Sequence, residues 1–357
     1  MSASTSFSLF TSLRYDPLLL QSSQNGSDIL SFSSPSPFYM LRYHRDRMLE
    51  AAQHFEWTPV TQKLMDGEAL EKILLEEVES WRKIGSHGDV PLKVRVLFNP
   101  SGQMQTDLAP VPPASLKDFF PSTLDLPAPK PAKTFTPSPL TGGALTLGPS
   151  DSLASDSSST SWIITLDTEP TPTSPHTLLK TTHRTHYDAS RARSVPAAEK
   201  KDGQMHEVLL WNEVQEITEG SFTSAYFYRG GRWVTPPVGQ PKNVPVPPEA
   251  GAATTEGTNE VKDGMEEPPR PTSENAYVDE GELREPFAGR WGHSVRSPKA
   301  VMGSGGQRGT TRRWALKAGL CMEEPISKYT VNTGEKVWVS NGVRGFGLGT
   351  VVEIRKQ

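Results

Sequence analysis

Three polar constellations, met along the chain as an amine, a carboxylate and an anion cradle, carry the chemistry this sequence could do. The first is Leu178-Leu179-Lys180-Thr181-Thr182-His183-Arg184-Thr185-His186-Tyr187-Asp188, with Lys180 placed where an apolar pair gives way to polar residues. A lysine acts as nucleophile or base only as the neutral amine, and burial beside other cations drives it that way. His183, Arg184 and His186 supply positive charge close by. The second is Ile217-Thr218-Glu219-Gly220-Ser221, a carboxylate at the end of a strand-like run. Gly220 lets the chain turn tightly beside whatever Glu219 faces. The third is Gly309-Thr310-Thr311-Arg312-Arg313, a turn that opens a helix. Unpaired backbone N–H groups at such an opening form an anion site. Arg47, in Tyr43-His44-Arg45-Asp46-Arg47, is its natural partner, because a guanidinium can grip a phosphate bidentately.

Each feature also has an ordinary reading. Lys180 could be a solvated lysine at a strand end, Glu219 a turn carboxylate, Gly309–Thr311 a plain capped helix, and Arg47 part of a solvated helix start. Taken in order, however, they supply what a protein needs to hold pyridoxal phosphate. Lys180 would form the Schiff base, and the third constellation would seat the phosphate. Glu219 would face the ring nitrogen, because a protonated pyridine is the better electron sink.

Other chemistries find less support. Cys321 is the only cysteine, so no internal disulfide and no thiolate metal cluster can form, which fits a reducing compartment such as the cytoplasm. It reads as a small apolar core residue. His183 and His186 are a lone i, i+3 pair without zinc spacing, so no metal is expected. A formal charge of −4 gives no reason to expect nucleic acid as a partner. Apolar runs such as Trp162-Ile163-Ile164 and Val208-Leu209-Leu210-Trp211 are too short to span a bilayer. The Ser/Thr-rich N-terminus has something of a transit peptide, but Phe7, Leu9 and the apolar residues through Leu13 read better as a first strand.

The elements that must position these residues fall into two groups. Residues 1–106 read as a small α+β domain. In it Phe38–Leu41 is a strand, His44–Trp57 an amphipathic helix, Gly67–Trp81 a second helix and Leu92–Phe98 a strand that stops at the turn Asn99-Pro100-Ser101-Gly102. Residues 107–160 are rich in Pro, Ser, Thr and Ala and read as an interdomain linker with a short docked piece at Phe119-Phe120. Residues 161–357 form a larger domain interrupted by a Pro-, Gly- and Glu-rich insertion at about 239–304. Its strand candidates are Trp162–Leu166, Glu207–Trp211, Ala225–Tyr228, Trp233–Thr235 and Lys336–Ser340, and its helix candidates are Tyr187–Arg193 and Thr311–Ala318.

The pattern resembles the fold-type IV pyridoxal phosphate enzymes, the class IV aminotransferase family, over most of the chain outside the two biased segments. His44-Arg45-Asp46-Arg47 resembles the family's H-x-D-R helix start, whose arginine contacts the phosphate. Lys180 matches the Schiff-base lysine, Thr218-Glu219-Gly220-Ser221 the T-E-G-S element, and Gly309-Thr310-Thr311-Arg312 the G-x-T-R phosphate loop. Trp338-Val339-Ser340-Asn341-Gly342-Val343 resembles the last phosphate-side loop, with Asn341 and Gly342 as contacts. Ser12-Leu13-Arg14-Tyr15-Asp16-Pro17, Lys180–Asp188 and Ser340-Asn341-Gly342-Val343-Arg344-Gly345-Phe346 are most like fungal 4-amino-4-deoxychorismate lyase-like proteins. Ser221-Phe222-Thr223-Ser224 departs from the family where many members carry an Asn. The resemblance implies an α/β (α+β) two-domain fold, with a small N-terminal domain, a larger barrel-like one, and the cofactor between them. It also implies a homodimer acting on a small molecule, and a lyase that makes 4-aminobenzoate for folate synthesis. Arg14 would contact a substrate carboxylate or else form a structural salt bridge. An aminotransferase on the same fold is the first rival, and a non-enzymatic interaction protein suggested by the Pro-rich segments is the second.

Overall fold

Leu92, Val94, Val96 and Phe98 alternate with Lys93, Arg95 and Leu97, and each of the four is almost completely buried. That period of two makes strand β2 (Leu92–Phe98), with one face in a core and the other free for polar work. In this computed structural model, which describes residues 7–85, 88–126, 162–195, 205–239 and 304–352, β2 is the centre of a three-stranded antiparallel sheet. Its neighbours are β1 (Leu9–Tyr15), registered with Ser12 opposite Arg95, and β3 (Met104–Pro110). The apolar face, with Leu9 and Leu13 of β1, packs against α1 (Leu41–His54), α2 (Thr58–Met65) and α3 (Gly67–Gly85).

Three expectations change here. Phe38–Leu41 is not a strand: Phe38 makes one bridge to Tyr15, and Met40 takes a left-handed conformation that turns the chain straight into α1. The helix therefore begins three residues before His44 and ends at His54. Thr58 then starts α2, with Pro59 in its first turn, and its buried side is only Val60 and Leu64, too short a stripe to read as periodicity. Residues 107–110 are the end of β3 and not linker, since Asp107 pairs with Arg95 and Pro110 with Leu92.

The docked piece at Phe119 is present. Ser115 and Asp118 form a reciprocal capping box on α4 (Leu116–Phe119). Phe119 is fully buried beside Tyr39, at 5.1 Å between ring centroids, and its carbonyl accepts a 2.6 Å hydrogen bond from the Tyr39 hydroxyl. Phe119→Ala is expected to cost about 3–5 kcal/mol, read as a lower urea midpoint; an unchanged midpoint would show that this segment carries no stability. The remainder of the 107–160 expectation, from residue 127 on, lies outside the described residues.

The second sheet has eight strands in the order β6-β5-β4-β11-β10-β7-β8-β9 and curls into a half-barrel. They are β4 (Trp162–Leu166), β5 (Met205–Trp211), β6 (Ile217–Gly220), β7 (Ser224–Arg229), β8 (Arg232–Thr235), β9 (Met322–Glu323), β10 (Lys336–Asn341) and β11 (Gly345–Val351). The mixed α/β expectation, with a small antiparallel sheet and a separate larger one, holds. Strand β11 lacked a sequence signal because it is glycine-rich. A side chain at Gly347 would run into Trp162, and one at Gly349 into Ile164, both on the parallel neighbour β4. The apolar pair Leu178-Leu179 is not strand: Pro175–Leu178 is a one-turn helix, α5. Of the expected insertion, only Gly239 and Ser304 are described; the Ser304 N–H donates to the Pro237 carbonyl at 2.9 Å, so its ends meet. Among the described residues no helix is long and apolar enough to cross a membrane, and no cluster of three or more His, Cys, Asp or Glu could hold a metal.

Candidate active site

Strand β1 is the seam between the two sheets. The Phe10 N–H donates to the Lys180 carbonyl at 3.2 Å, Leu9 bridges Thr181, and the Thr182 N–H donates to the Ser8 carbonyl at 2.9 Å. At the other end the Arg14 N–H donates to the Gly342 carbonyl at 2.9 Å. Between these stitches a cavity of about 470 Å³ opens, with Phe10 and Ser12 of β1 on its wall. Lys180, Glu219, Arg47, Thr310, Thr311, Asn341 and Gly342 all line it. Residues up to 334 positions apart in sequence, Phe10 and Arg344, thus face one space.

Lys180 leaves α5 in extended backbone and presents its amine 5.2 Å from the centre of the Phe10 ring. Burial pushes its pKa below the ordinary lysine range, and Arg47 and Arg184 push it further. A neutral amine is the form that can attack a carbonyl or take a proton. Glu219 sits on β6, and its carboxylate accepts a 2.6 Å hydrogen bond from the Tyr187 hydroxyl on α6 (Thr185–Ser194). Burial pushes its pKa up, while the Tyr187 hydrogen bond and the Lys180 charge oppose that rise.

A further part of the wall is built like an anion seat. Gly309 is the N-cap of α7 (Thr310–Lys317), and its N-terminal turn carries Thr310 and Thr311 into the cavity wall. Thr311 is hydrogen-bonded to Ser340 at 2.7 Å, and Ser340 to Tyr226 at 2.8 Å. Asn341 does not offer its side-chain oxygen to the cavity. That atom accepts from the Val343 and Arg344 N–H groups and fixes the turn between β10 and β11. A side chain at Gly342 would strike the His44 ring, so glycine is what allows the loop to close on α1. Arg47 donates to the Thr11 hydroxyl at 2.6 Å, and its buried Nε has no acceptor among the described residues. Burial lowers Arg47 to about 10. A guanidinium with an unmet donor, beside a helix N-terminus and two hydroxyls, fits a phosphate.

Arg14 is the site expectation that the structure does not bring into the cavity. Its Nε pairs with Asp16 at 2.7 Å, its Nη2 donates to the Pro112 carbonyl at 2.9 Å, and it lies 5.0 Å over the Phe119 ring. With 1 % exposure, it is the structural salt bridge of the two alternatives. Arg14→Met would strand a buried Asp16, so a loss of about 3–5 kcal/mol is expected, read by denaturant unfolding, with an unchanged KM in the folded fraction. A raised KM at unchanged stability would restore its substrate role.

Sequence reasoning missed three groups. Tyr187 stands behind Glu219, and Gln307, on the cavity wall, donates to the Tyr187 hydroxyl. Glu207 is fully buried on β5 and accepts from Ser221 N–H, Ser221 Oγ and Thr223 Oγ1 at 2.6–2.8 Å, clamping the turn after Glu219. Lys93, Arg95 and Arg344 line the cavity with Arg184. In sequence, Lys93 and Arg95 are simply the polar half of an alternating strand; the signal was present, but it reads the same for a solvent face.

No protein-family model matches this sequence, and no curated protein matches it. Among solved structures, it is similar to a fold IV-transaminase from Curtobacterium pusillum at 11 % identity and a TM-score of 0.47, covering 98 % of this chain and 80 % of that one. A 4-amino-4-deoxychorismate lyase from Pseudomonas aeruginosa gives 13 % identity and a TM-score of 0.45, with 97 % and 83 % covered. A hypothetical aminotransferase from Mycobacterium tuberculosis in its PLP-bound form gives 12 % identity and a TM-score of 0.46, with 98 % and 82 % covered. Values of this size assign neither an activity nor a substrate to this chain.

Proposed function

We propose that this chain is a pyridoxal phosphate-dependent lyase that converts 4-amino-4-deoxychorismate to 4-aminobenzoate, a folate precursor, and pyruvate. The observation that carries this reading is the charge of the cavity. Arg47, Lys93, Arg95, Lys180, Arg184 and Arg344 line it, and Glu219 is the one acidic residue among the described lining residues. Arg47 and the start of α7 suit the cofactor phosphate. The cations left over exceed what the single α-carboxylate of an amino acid requires. Lys93 and Arg344 make no ion pair among the described residues, and they suit a substrate with two carboxylates.

When bound, pyridoxal phosphate supplies an aldehyde that captures the substrate amine and a ring that accepts the electron pair from the adjacent carbon. The chain supplies the rest. Thr310, Thr311 and Arg47 anchor the phosphate, and Glu219 keeps a proton on the ring nitrogen. Lys180 holds the cofactor before the substrate arrives. Once displaced, its amine takes the proton from the amine-bearing carbon, acting as general base. The enolpyruvyl C–O bond then breaks and the ring becomes aromatic. Lys180 returns the proton to the methylene carbon of the departing group, which leaves as pyruvate. Lys180 would then take back its place on the cofactor and free the amine of 4-aminobenzoate, so the atoms balance without water or a second substrate. The same reading implies a homodimer working in the cytoplasm, where a single buried cysteine stays reduced.

The test is to purify the protein with pyridoxal phosphate, record its absorbance, and follow pyruvate from 4-amino-4-deoxychorismate with no keto acid present. A yellow protein giving pyruvate and 4-aminobenzoate in equal amounts is the expected result. A yellow protein without pyruvate, bleached by an amino acid and restored by a keto acid, would be an aminotransferase. A colourless one would sink both readings.

A further inference from the structure

We propose that Tyr187 and Gln307 are positioning residues that hold Glu219 as an ionised acceptor, so that the proton it shares with a bound pyridine ring stays on the ring nitrogen. This rests on the cofactor reading above, but its geometry stands by itself. Neither the lysine nor the anion seat touches the Tyr187 hydroxyl, which lies behind the cavity wall.

Tyr187 is 1 % exposed, packed with Val195, Val208 and Leu210, and is absent from the cavity lining. Its hydroxyl lies 2.6 Å from Glu219 Oε1 and 2.7 Å from Gln307 Nε2. The direction of both bonds follows from the groups involved. An amide nitrogen can only donate, and an ionised carboxylate can only accept. The Tyr187 oxygen therefore accepts from Gln307 and spends its one proton on Glu219. The Gln307 main-chain N–H is a second donor to the same carboxylate. Gln307 can come this close because Gly305 and Gly306 precede it with φ of +93° and +83°. A Cβ at Gly306 would fall 2.9 Å from the Thr218 carbonyl, so glycine lets the loop lie along β6.

Two neutral donors stabilise the charged form of a buried carboxylate without neutralising it as a touching cation would. The other charges that face Glu219 are Lys180, Arg47 and Arg184, and none is within hydrogen-bond distance of it among the described contacts. The nearby carboxylate Glu207 is committed to Ser221 and Thr223. Removing the phenol makes Glu219 more basic, and the shared proton then moves from ring to carboxylate.

The test begins with cofactor-free protein. Carbon-13 labelling of glutamate, with the Glu219 signal assigned by its loss in Glu219→Gln, gives the titration midpoint of that carboxyl. Tyr187→Phe keeps the packed ring and is expected to raise the midpoint by roughly one pH unit, the size of a hydrogen bond to a charged group. Gln307→Leu is expected to raise it less, and the double variant to fall short of the sum because the two act in series. An unchanged midpoint in Tyr187→Phe overturns the inference whatever the cofactor does. With ¹⁵N-labelled pyridoxal phosphate bound, the ring-nitrogen shift should move toward the unprotonated value in Tyr187→Phe. A raised midpoint with an unmoved ring signal, or with no cofactor bound to any variant, overturns the role toward the ring and leaves only a structural hydrogen bond.

Discussion

Lys180→Ala is expected to lower turnover by at least about 10⁴-fold, because it removes a nucleophile and a general base in one step. The loss should be accompanied by loss of covalent cofactor. Borohydride treatment of the wild-type protein should fix the cofactor on the peptide that contains Lys180, and mass mapping of the variant should find none there. Fixation on a different lysine would overturn the assignment. A second signature has the opposite sign. Burial and the charges of Arg47 and Arg184 depress the Lys180 pKa below that of an unfolded lysine. A group depressed in this way costs nothing above its unfolded pKa, where both states are neutral; its cost grows as pH falls between the unfolded and folded values and is full below the folded one. Lys180→Met in cofactor-free protein should therefore raise the thermal midpoint near neutral pH, and that gain should shrink as pH rises from about 7 and be gone above about pH 10, where both states are neutral. A variant that loses activity and also loses stability at neutral pH would indicate a collapsed site and not a missing amine.

The two biochemical walls of this cavity were legible in sequence to different degrees, and the reason is local. Gly309-Thr310-Thr311 and Thr218-Glu219-Gly220 are short-range patterns: a glycine before a helix, a carboxylate before a tight turn. Their geometry is decided within a few residues, so the residues that define it are adjacent. Strand β2 could be read for the same reason, from four apolar residues at a period of two. What could not be read was contact between distant segments. Whether Lys93 and Arg95 face solvent or a cavity depends on the stitching of β1 to Lys180 and Gly342, and no local pattern records that. The Tyr187 hydroxyl is aimed by a helix packing on β5, and Gln307 arrives next to it after more than a hundred residues. Arg14 shows the same effect in reverse. A lone arginine in a motif carries an open functional reading until Asp16, Pro112 and Phe119 are seen to occupy it. Strand β11 was hidden by Gly347 and Gly349, which give up side chains so that Trp162 and Ile164 can lie close.

Glu219→Gln should separate the electron sink from the covalent anchor. Lys180 remains, so the variant should still take up pyridoxal phosphate and still yield a reduced adduct at Lys180. Turnover should fall on the order of 10²–10⁴-fold, since a neutral amide cannot hold a proton on the ring nitrogen, and proton placement in the transition state is worth about that much. The fall should appear in kcat more than in KM, because the substrate carboxylates are assigned to Lys93 and Arg344 and not to this position. Stability again moves the other way. Burial raises the Glu219 pKa above its unfolded value. The folded state then holds the proton where the unfolded chain has lost it, so the contribution of Glu219 to stability is present at acid pH and lost as pH rises. Glutamine carries no such cost, and the variant should gain on the wild-type protein as pH rises from about 4 to 8. The introduced amide can still accept from the Tyr187 hydroxyl through its oxygen, which argues against local rearrangement as the cause of lost turnover. Activity within a few-fold of wild type would remove Glu219 from the chemistry and, with it, any need for the proton on the ring that Tyr187 and Gln307 are placed to defend.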